Sequence, residues 1–183
     1  MHKIKINKMR TAIIYATSHG TTGKVANIIK ERLSANNTKE ESINIFNLKQ
    51  NSNIDLSVYD TIVLGGSIHA GNIQGSVKEF CKNNLVDLLQ KRVALFICAM
   101  NKPEYETELK NSFPELLFNH AITKEVVGGE FLFDKMNFIE KMLVRNISGI
   151  KETTSKIDDS KIEALCRSLH PSVFFTNSTK TDS

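Results

Sequence analysis

An α/β fold, with a parallel sheet covered by helices on both faces, is what this sequence predicts. Three observations carry the prediction. Apolar runs rich in β-branched residues alternate with helical periods from about residue 10 to about residue 170. One of those runs, 61–66 (TIVLGG), is continuously apolar, and another, 92–100 (RVALFICAM), is apolar after Arg92, as strands buried on both faces are. The first run ends in a hydroxyl-rich, glycine-bearing turn that opens directly into a helix. Alternation of this kind builds right-handed crossovers and places helices on both sides of one sheet.

The elements follow in order. Residues 10–16 (RTAIIYA) read as the first strand. Thr21 or Thr22 then caps a helix in which Val25, Ile28, Ile29 and Leu33 recur at helical spacing, and Asn36-Asn37 closes it. Residues 41–48 (ESINIFNL) alternate apolar and polar side chains, as a strand near a sheet edge does. The third strand is 61–66, followed by a helix over 75–90 with Val77, Phe80, Cys81, Leu85 and Leu88 on its inner side. The fourth strand, 92–100, leads into a short helical connection over 104–119 that Pro114 interrupts. A fifth strand lies within 122–132, broken by Gly128-Gly129. Residues 135–147 and 159–169 read as amphipathic helices. Residues 1–9 form an N-terminal extension, 10–170 the domain, and 171–183 a polar tail.

Composition narrows the class. At 183 residues the chain has the size of one domain, with 40% hydrophobic and 24% charged residues, an ordinary globular balance. A net charge of +4 is too mild to argue for nucleic acid. No apolar run reaches the roughly 20 residues that a membrane span needs. Cys81, Cys98 and Cys166 are odd in number and form no CxxC pair, so they read as buried reduced thiols in a cytoplasmic protein. The five histidines show no helical i, i+4 pairing of the kind a metal site uses.

Two loops carry the chemistry. The first is the turn after strand one, Thr17-Ser18-His19-Gly20-Thr21-Thr22. It offers four hydroxyls and a run of backbone N–H groups at a helix start, where the macrodipole also favours negative charge. Five or six charge-assisted hydrogen bonds of about 1.5–3 kcal/mol each hold a phosphate dianion without any Lys or Arg. Other phosphate motifs fail here. Gly23-Lys24 has Ser18 upstream and Val25 downstream, which is no Walker loop, and no GxGxxG follows Ala16.

The second loop leaves the third strand as Gly65-Gly66-Ser67-Ile68-His69-Ala70-Gly71-Asn72. Three glycines in seven residues signal either close approach to a flat ligand or a tight turn. His69 stands where a serine-hydrolase elbow needs glycine, so that reading fails. With strands in the order 2-1-3-4-5, the two loops flank the crevice between strands one and three, where ligands bind in open α/β sheets. The end of the fourth strand, Cys98-Ala99-Met100-Asn101, closes the other side.

Tyr15-Ala16-Thr17-Ser18-His19-Gly20-Thr21-Thr22 resembles the flavodoxin phosphate signature, T/S-x-T-G-x-T, with His19 where Thr is usual. Leu64 to Gly71, Phe80 and 138–148 (FIEKMLVRNIS) extend the resemblance to the menaquinone-dependent protoporphyrinogen oxidase branch of the flavodoxin-like family. The resemblance implies a flavodoxin-like three-layer sandwich around a five-stranded parallel sheet, and noncovalent FMN. It places Thr17, Ser18, His19, Gly20, Thr21 and Thr22 on the phosphate. It sets Gly66, Ser67, Ile68, His69, Ala70, Gly71 and Asn72 along the ring edge, and Ala99, Met100 and Asn101 near the pyrimidine end. The flavin then carries the chemistry and no side-chain nucleophile is needed. A quinone or another redox partner and a porphyrinogen substrate are the implied reactants.

Two features depart from the electron-carrying flavodoxins, which are acidic and sandwich the ring between Trp and Tyr. This chain is basic, has no Trp, and has no aromatic residue within 65–72. A ring open on one face suits two-electron exchange with a bulky partner. A small electron carrier and a non-enzymatic docking module are the alternatives. The helix over 135–147 places Met136, Phe138, Ile139, Met142 and Leu143 beside Lys135, Lys141 and Arg145. That pattern suits either packing on the sheet or peripheral contact with an anionic membrane.

Overall fold

The computed structural model describes residues 9–35, 42–136, 138–148 and 152–169. The predicted extension before Met9 and the polar tail lie outside the described residues. Strand β1 (Arg10–Tyr15) sits between β2 (Ser42–Asn47) and β3 (Thr61–His69), and β5 (Arg92–Cys98) separates β3 from β6 (Thr123–Val126), all in parallel register. The parallel path therefore runs β2-β1-β3-β5-β6, which is the expected 2-1-3-4-5 in order of parallel strands. A sixth strand, β4 (Asn72–Ile73), joins the sheet antiparallel to the end of β3. The two-residue crossing at Ala70-Gly71 has positive φ at both residues, 48° and 74°, the pattern of a tight hairpin turn.

Strand pleating explains the two-sided core. Ala12 and Ile14 of β1, Ile62 and Leu64 of β3, and Val93, Leu95 and Ile97 of β5 face one side. There they meet Val77, Phe80 and Cys81 of α2 (Gly75–Asn83), Leu88 of α3 (Leu85–Leu88) and Leu117 of α5 (Glu115–His120). Ile13, Val63, Ala94, Phe96 and Cys98 point the other way, against Val25, Ala26, Ile29 and Leu33 of α1 (Thr21–Ala35). Ile162, Leu165, Cys166 and Leu169 of α7 (Asp159–Leu169) complete that layer. Each large side chain buried here contributes about 1.5–3 kcal/mol relative to exposure. The three thiols are buried, and burial pushes each up to about 12, so none is a reactive thiolate at neutral pH.

Several boundaries differ from the sequence expectation. The third strand continues three residues past Gly66, so part of the anticipated loop is strand. The helix expected over 75–90 divides at Asn84, whose φ of −116° and ψ of 17° leave the helical region, while its backbone N–H and side-chain amide both donate to the Phe80 carbonyl, at 3.1 and 2.9 Å. The connection over 104–119 divides at Pro114 into α4 (Tyr105–Ser112) and α5. The last parallel strand ends at Val126, short of the 122–132 expected. Beyond it the chain turns away as an antiparallel ribbon, β7 (Glu130–Phe131) with β8 (Thr154–Ser155), enclosing α6 (Phe138–Ser148). Gly128 forces the departure: a Cβ there would collide with the Lys156 carbonyl oxygen, in a left-handed backbone with φ 69°. No helix among the described residues is long and apolar enough to cross a membrane.

Candidate functional site

The C-terminal ends of β1, β3 and β5 are adjacent, so three loops emerge side by side at one edge of the sheet. Tyr15 pairs with Gly65 and Ser67 with Cys98, which brings Thr17–Thr22, the β3–β4 hairpin and Ala99–Asn101 together. The imidazoles of His19 and His69 meet edge to face with centroids 5.8 Å apart, joining the first loop to the second.

Gly20, not a threonine, takes the helix-capping position: the Lys24 N–H donates to its carbonyl at 3.0 Å as the first helical bond. The N–H groups of Thr21, Thr22 and Gly23 therefore have no carbonyl one turn back. The Gly20 N–H donates to Thr17 Oγ1 at 2.9 Å, which folds the turn on itself at a φ of 103° that favours glycine. Ser18 is exposed, while Thr21 and Thr22 are buried. The Thr22 hydroxyl lies beside the Cys98 thiol, a weak partner, and makes no conventional hydrogen bond. An orphaned buried hydroxyl costs about 1–3 kcal/mol. A phosphate oxygen at the helix start is the kind of acceptor that would satisfy it. The donor set thus fits a phosphate.

The hairpin is built differently. Gly65 faces the Phe96 ring, which occupies the space a Cβ would need, and a Cβ at Gly66 would lie 2.8 Å from both Gln74 Oε1 and Ile73 Cγ1. Two of the three glycines are thereby accounted for by packing within the protein. Gln74 locks the hairpin, since its Oε1 accepts the Ser67 N–H at 2.8 Å and its amide donates to Ser67 Oγ at 2.5 Å. Ser67 Oγ also lies 3.2 Å from His69 Nε2. At the tip, Ala70, Gly71 and Asn72 are exposed, and nothing stands within 4 Å of the position a Gly71 Cβ would take. Ile68 packs against the core beneath. In the third loop Ala99 is buried, Met100 half-buried and Asn101 exposed. The Tyr105 hydroxyl donates to the Ala99 carbonyl at 3.1 Å, which ties that ring to the backbone rather than leaving it free to stack.

Three contributors escaped the sequence reading. Glu130, at the base of the ribbon, accepts from Lys24 Nζ at 2.7 Å, from Ser155 Oγ at 2.9 Å and from Thr21 Oγ1 at 3.3 Å. Burial alone would raise its carboxyl, but Lys24, Ser155 and Thr21 together outweigh that and hold it below the usual range. Lys135, in the turn after β7, brings its ammonium to 3.5 Å from the position of a Cβ on Gly20. Both lie more than a hundred residues from the turn they touch, and no local pattern announces them. Gln74 was legible: a two-residue turn at Ala70-Gly71 sets it opposite Ser67.

Shallow clefts also occur elsewhere. One of about 360 Å³ is lined by Leu56, Asn84, Asp87 and Lys91, and one of about 640 Å³ by Lys110, Phe113 and Phe118. Neither draws a residue from the three loops, so volume and chemistry point to different places, and the donor chemistry marks the site.

Comparison with known proteins agrees in kind. A family model described as a flavodoxin domain matches residues 12–158. Protoporphyrinogen IX dehydrogenase [quinone] of Escherichia coli strain K12 is 22% identical over 145 residues, covering 76% of this chain and 78% of the relative. Oxidised flavodoxin 1 from Bacillus cereus superposes with a TM-score of 0.51 at 16% identity, covering 86% of this chain and 92% of that one. Rubredoxin oxygen:oxidoreductase from Desulfovibrio gigas also matches, with a TM-score of 0.51 at 13% identity over 88% of this chain. There the chain spans only 37% of the larger protein.

Proposed function

The chain belongs to the flavodoxin-domain family, and from that premise we propose that it is an FMN-dependent oxidoreductase of the protoporphyrinogen dehydrogenase type, with a quinone as electron acceptor. The observation that carries the cofactor reading is the helix start at Thr21. Unpaired N–H groups and the orphaned Thr22 hydroxyl converge there, beside the β3–β4 hairpin and the β5 loop. Thr17, Ser18, Gly20, Thr21 and Thr22 would hold the phosphate, with His19 at the rim beside His69. Gly66, Ser67, Ile68, His69, Ala70, Gly71 and Asn72 would line one edge of the ring, and Ala99, Met100 and Asn101 its pyrimidine end.

Bound FMN supplies the two-electron redox chemistry. The protein binds it, orients it and leaves one face accessible. Gln74 fixes Ser67 and through it His69, so the hydrogen-bonding edge presented to the ring is held rigid. The absence of Trp from the chain, together with a Tyr105 hydroxyl committed to Ala99, supports an open face that a bulky reductant could approach. The Escherichia coli relative supports the choice of porphyrinogen and quinone as reactants.

The test is anaerobic protoporphyrinogen oxidation by the FMN-loaded protein with and without a menaquinone analogue. Turnover that needs the quinone is expected. Loaded protein that only passes single electrons to a protein acceptor would establish the electron-carrier reading instead. Ile139 and Met142 of α6 are 69% and 49% exposed beside exposed Arg145, which supports peripheral contact with an anionic, quinone-bearing bilayer. Co-sedimentation with anionic vesicles at low salt is expected, and an Ile139→Ser/Met142→Ser variant should lose it. The three buried cysteines, free of disulfides, support a cytoplasmic location.

A further inference from the structure

The ribbon that leaves the sheet after Gly128 folds back over the first turn and meets it twice. Glu130 reaches the first turn of α1 through Thr21 and Lys24, and Lys135 stands over Gly20. The two contacts differ in charge. Lys24 is paired with Glu130 at 2.7 Å, and that carboxylate, 6% exposed, neutralises it. Lys135 has no carboxylate partner among the described residues, and no other Lys or Arg among them is shown against the 17–22 backbone without one.

Its position is held by the backbone around it. The Lys135 N–H donates to Leu132 O at 2.9 Å, and the neighbouring Phe133 is 7% exposed. The Phe133 N–H donates to Thr153 Oγ1 at 3.2 Å from across the ribbon, and the Arg145 guanidinium lies over the Phe133 ring at 5.7 Å. An anchored turn therefore presents an ammonium, which no carboxylate among the described residues pairs with, to a cradle whose own donors are uncharged and whose Thr21 also meets Glu130.

We propose that Lys135 is a ligand of the FMN phosphate, so that this chain selects FMN over riboflavin by charge as well as by neutral hydrogen bonds. The inference rests on the FMN reading above and adds a residue that lies outside the signature turn. An ammonium on a dianion forms a charge-assisted hydrogen bond that riboflavin, lacking the phosphate, cannot accept. Loss of one such bond corresponds to roughly tenfold to a hundredfold in affinity.

The experiment titrates the full-length chain with FMN and, separately, with riboflavin, following quenching of flavin fluorescence. Wild type, Lys135→Gln and Lys135→Arg are compared, with thermal melting of each flavin-free protein as the folding control. Lys135→Gln is expected to weaken FMN by about tenfold or more while leaving riboflavin within about twofold. Lys135→Arg, which keeps the charge, should recover most of the FMN affinity, and 0.5 M salt should narrow the gap between wild type and Lys135→Gln. Unchanged FMN binding by Lys135→Gln overturns the proposal. So does an equal loss of FMN and riboflavin, which would mark a structural role. A wild-type chain that takes up neither flavin defeats the cofactor reading itself, an outcome distinct from either of these.

Discussion

The turn at Thr17–Thr22 and the hairpin at Gly65–Asn72 use similar residues for different physical reasons. Each combines glycine with hydroxyl side chains, one glycine and four hydroxyls in the first and three glycines and one serine in the second, and both sit at the C-terminal edge of the sheet. In the first, the backbone N–H groups of a helix start are left without carbonyls, and Thr22 carries a buried hydroxyl with no conventional partner. In the second, the polar groups are largely satisfied within the protein, with Gln74 holding both the N–H and the hydroxyl of Ser67. The glycines at 65 and 66 make room for Phe96, Ile73 and Gln74. Glycine density therefore reflects packing in one loop, while unsatisfied donors distinguish the other, the turn proposed to hold the phosphate.

The comparison breaks most visibly at Gly65. Gly65→Ala is expected to cost about 3 kcal/mol in denaturant unfolding, because its Cβ meets a fully buried aromatic ring. The same substitution in a Phe96→Leu background should cost clearly less. If Gly65→Ala were neutral in stability yet abolished flavin binding, the packing account of the hairpin would be wrong.

Thr22 gives the opposite signature. Thr22→Val keeps the shape and removes the orphaned hydroxyl, so the flavin-free protein should gain up to about 1 kcal/mol while FMN affinity falls about tenfold. A stability loss together with unchanged affinity would show that the hydroxyl serves the fold instead. Ala70 tests the hairpin tip. Its φ of 48° is strained for a residue with a side chain, and Ala70→Asn creates the Asn-Gly pair that such turns favour. A stabilisation of about 1 kcal/mol in the same unfolding assay is expected.

The smallest effect lies where the ribbon grips the turn. The Glu130 carboxyl is held below its unfolded value, so its contribution is present above the unfolded pKa and lost as pH falls through the folded one. Stability of the wild type should therefore decline below about pH 4.5 more steeply than that of Glu130→Gln, measured as denaturation midpoints across the acid range. Parallel acid limbs would mean that the Lys24 contact adds nothing to stability.

Much of this architecture was readable from local pattern. The runs at 61–66 and 92–100 announced buried parallel strands, and Thr17–Thr22 announced a helix start dense in donors. Length was read less well than identity. Three glycines within 65–71 make Ser67–His69 read as loop, yet these residues continue β3 because β4 pairs back on them. The apolar spacing over 75–90 is that of one continuous helix, yet the backbone leaves the helical region at Asn84 and caps the first segment there.

Chain order alone was enough to establish an α/β sheet, helices on both of its faces and a donor-rich turn at a helix start, because each depends on neighbours a few residues apart. Folding in three dimensions settled which glycines serve packing, that Gly20 rather than a threonine caps α1, and that Glu130 and Lys135 arrive at the turn from the far end of the chain. Charge and steric contact act over a few ångströms of space whatever the separation along the backbone, so that second set of facts exists only once β7, β8 and α1 lie side by side.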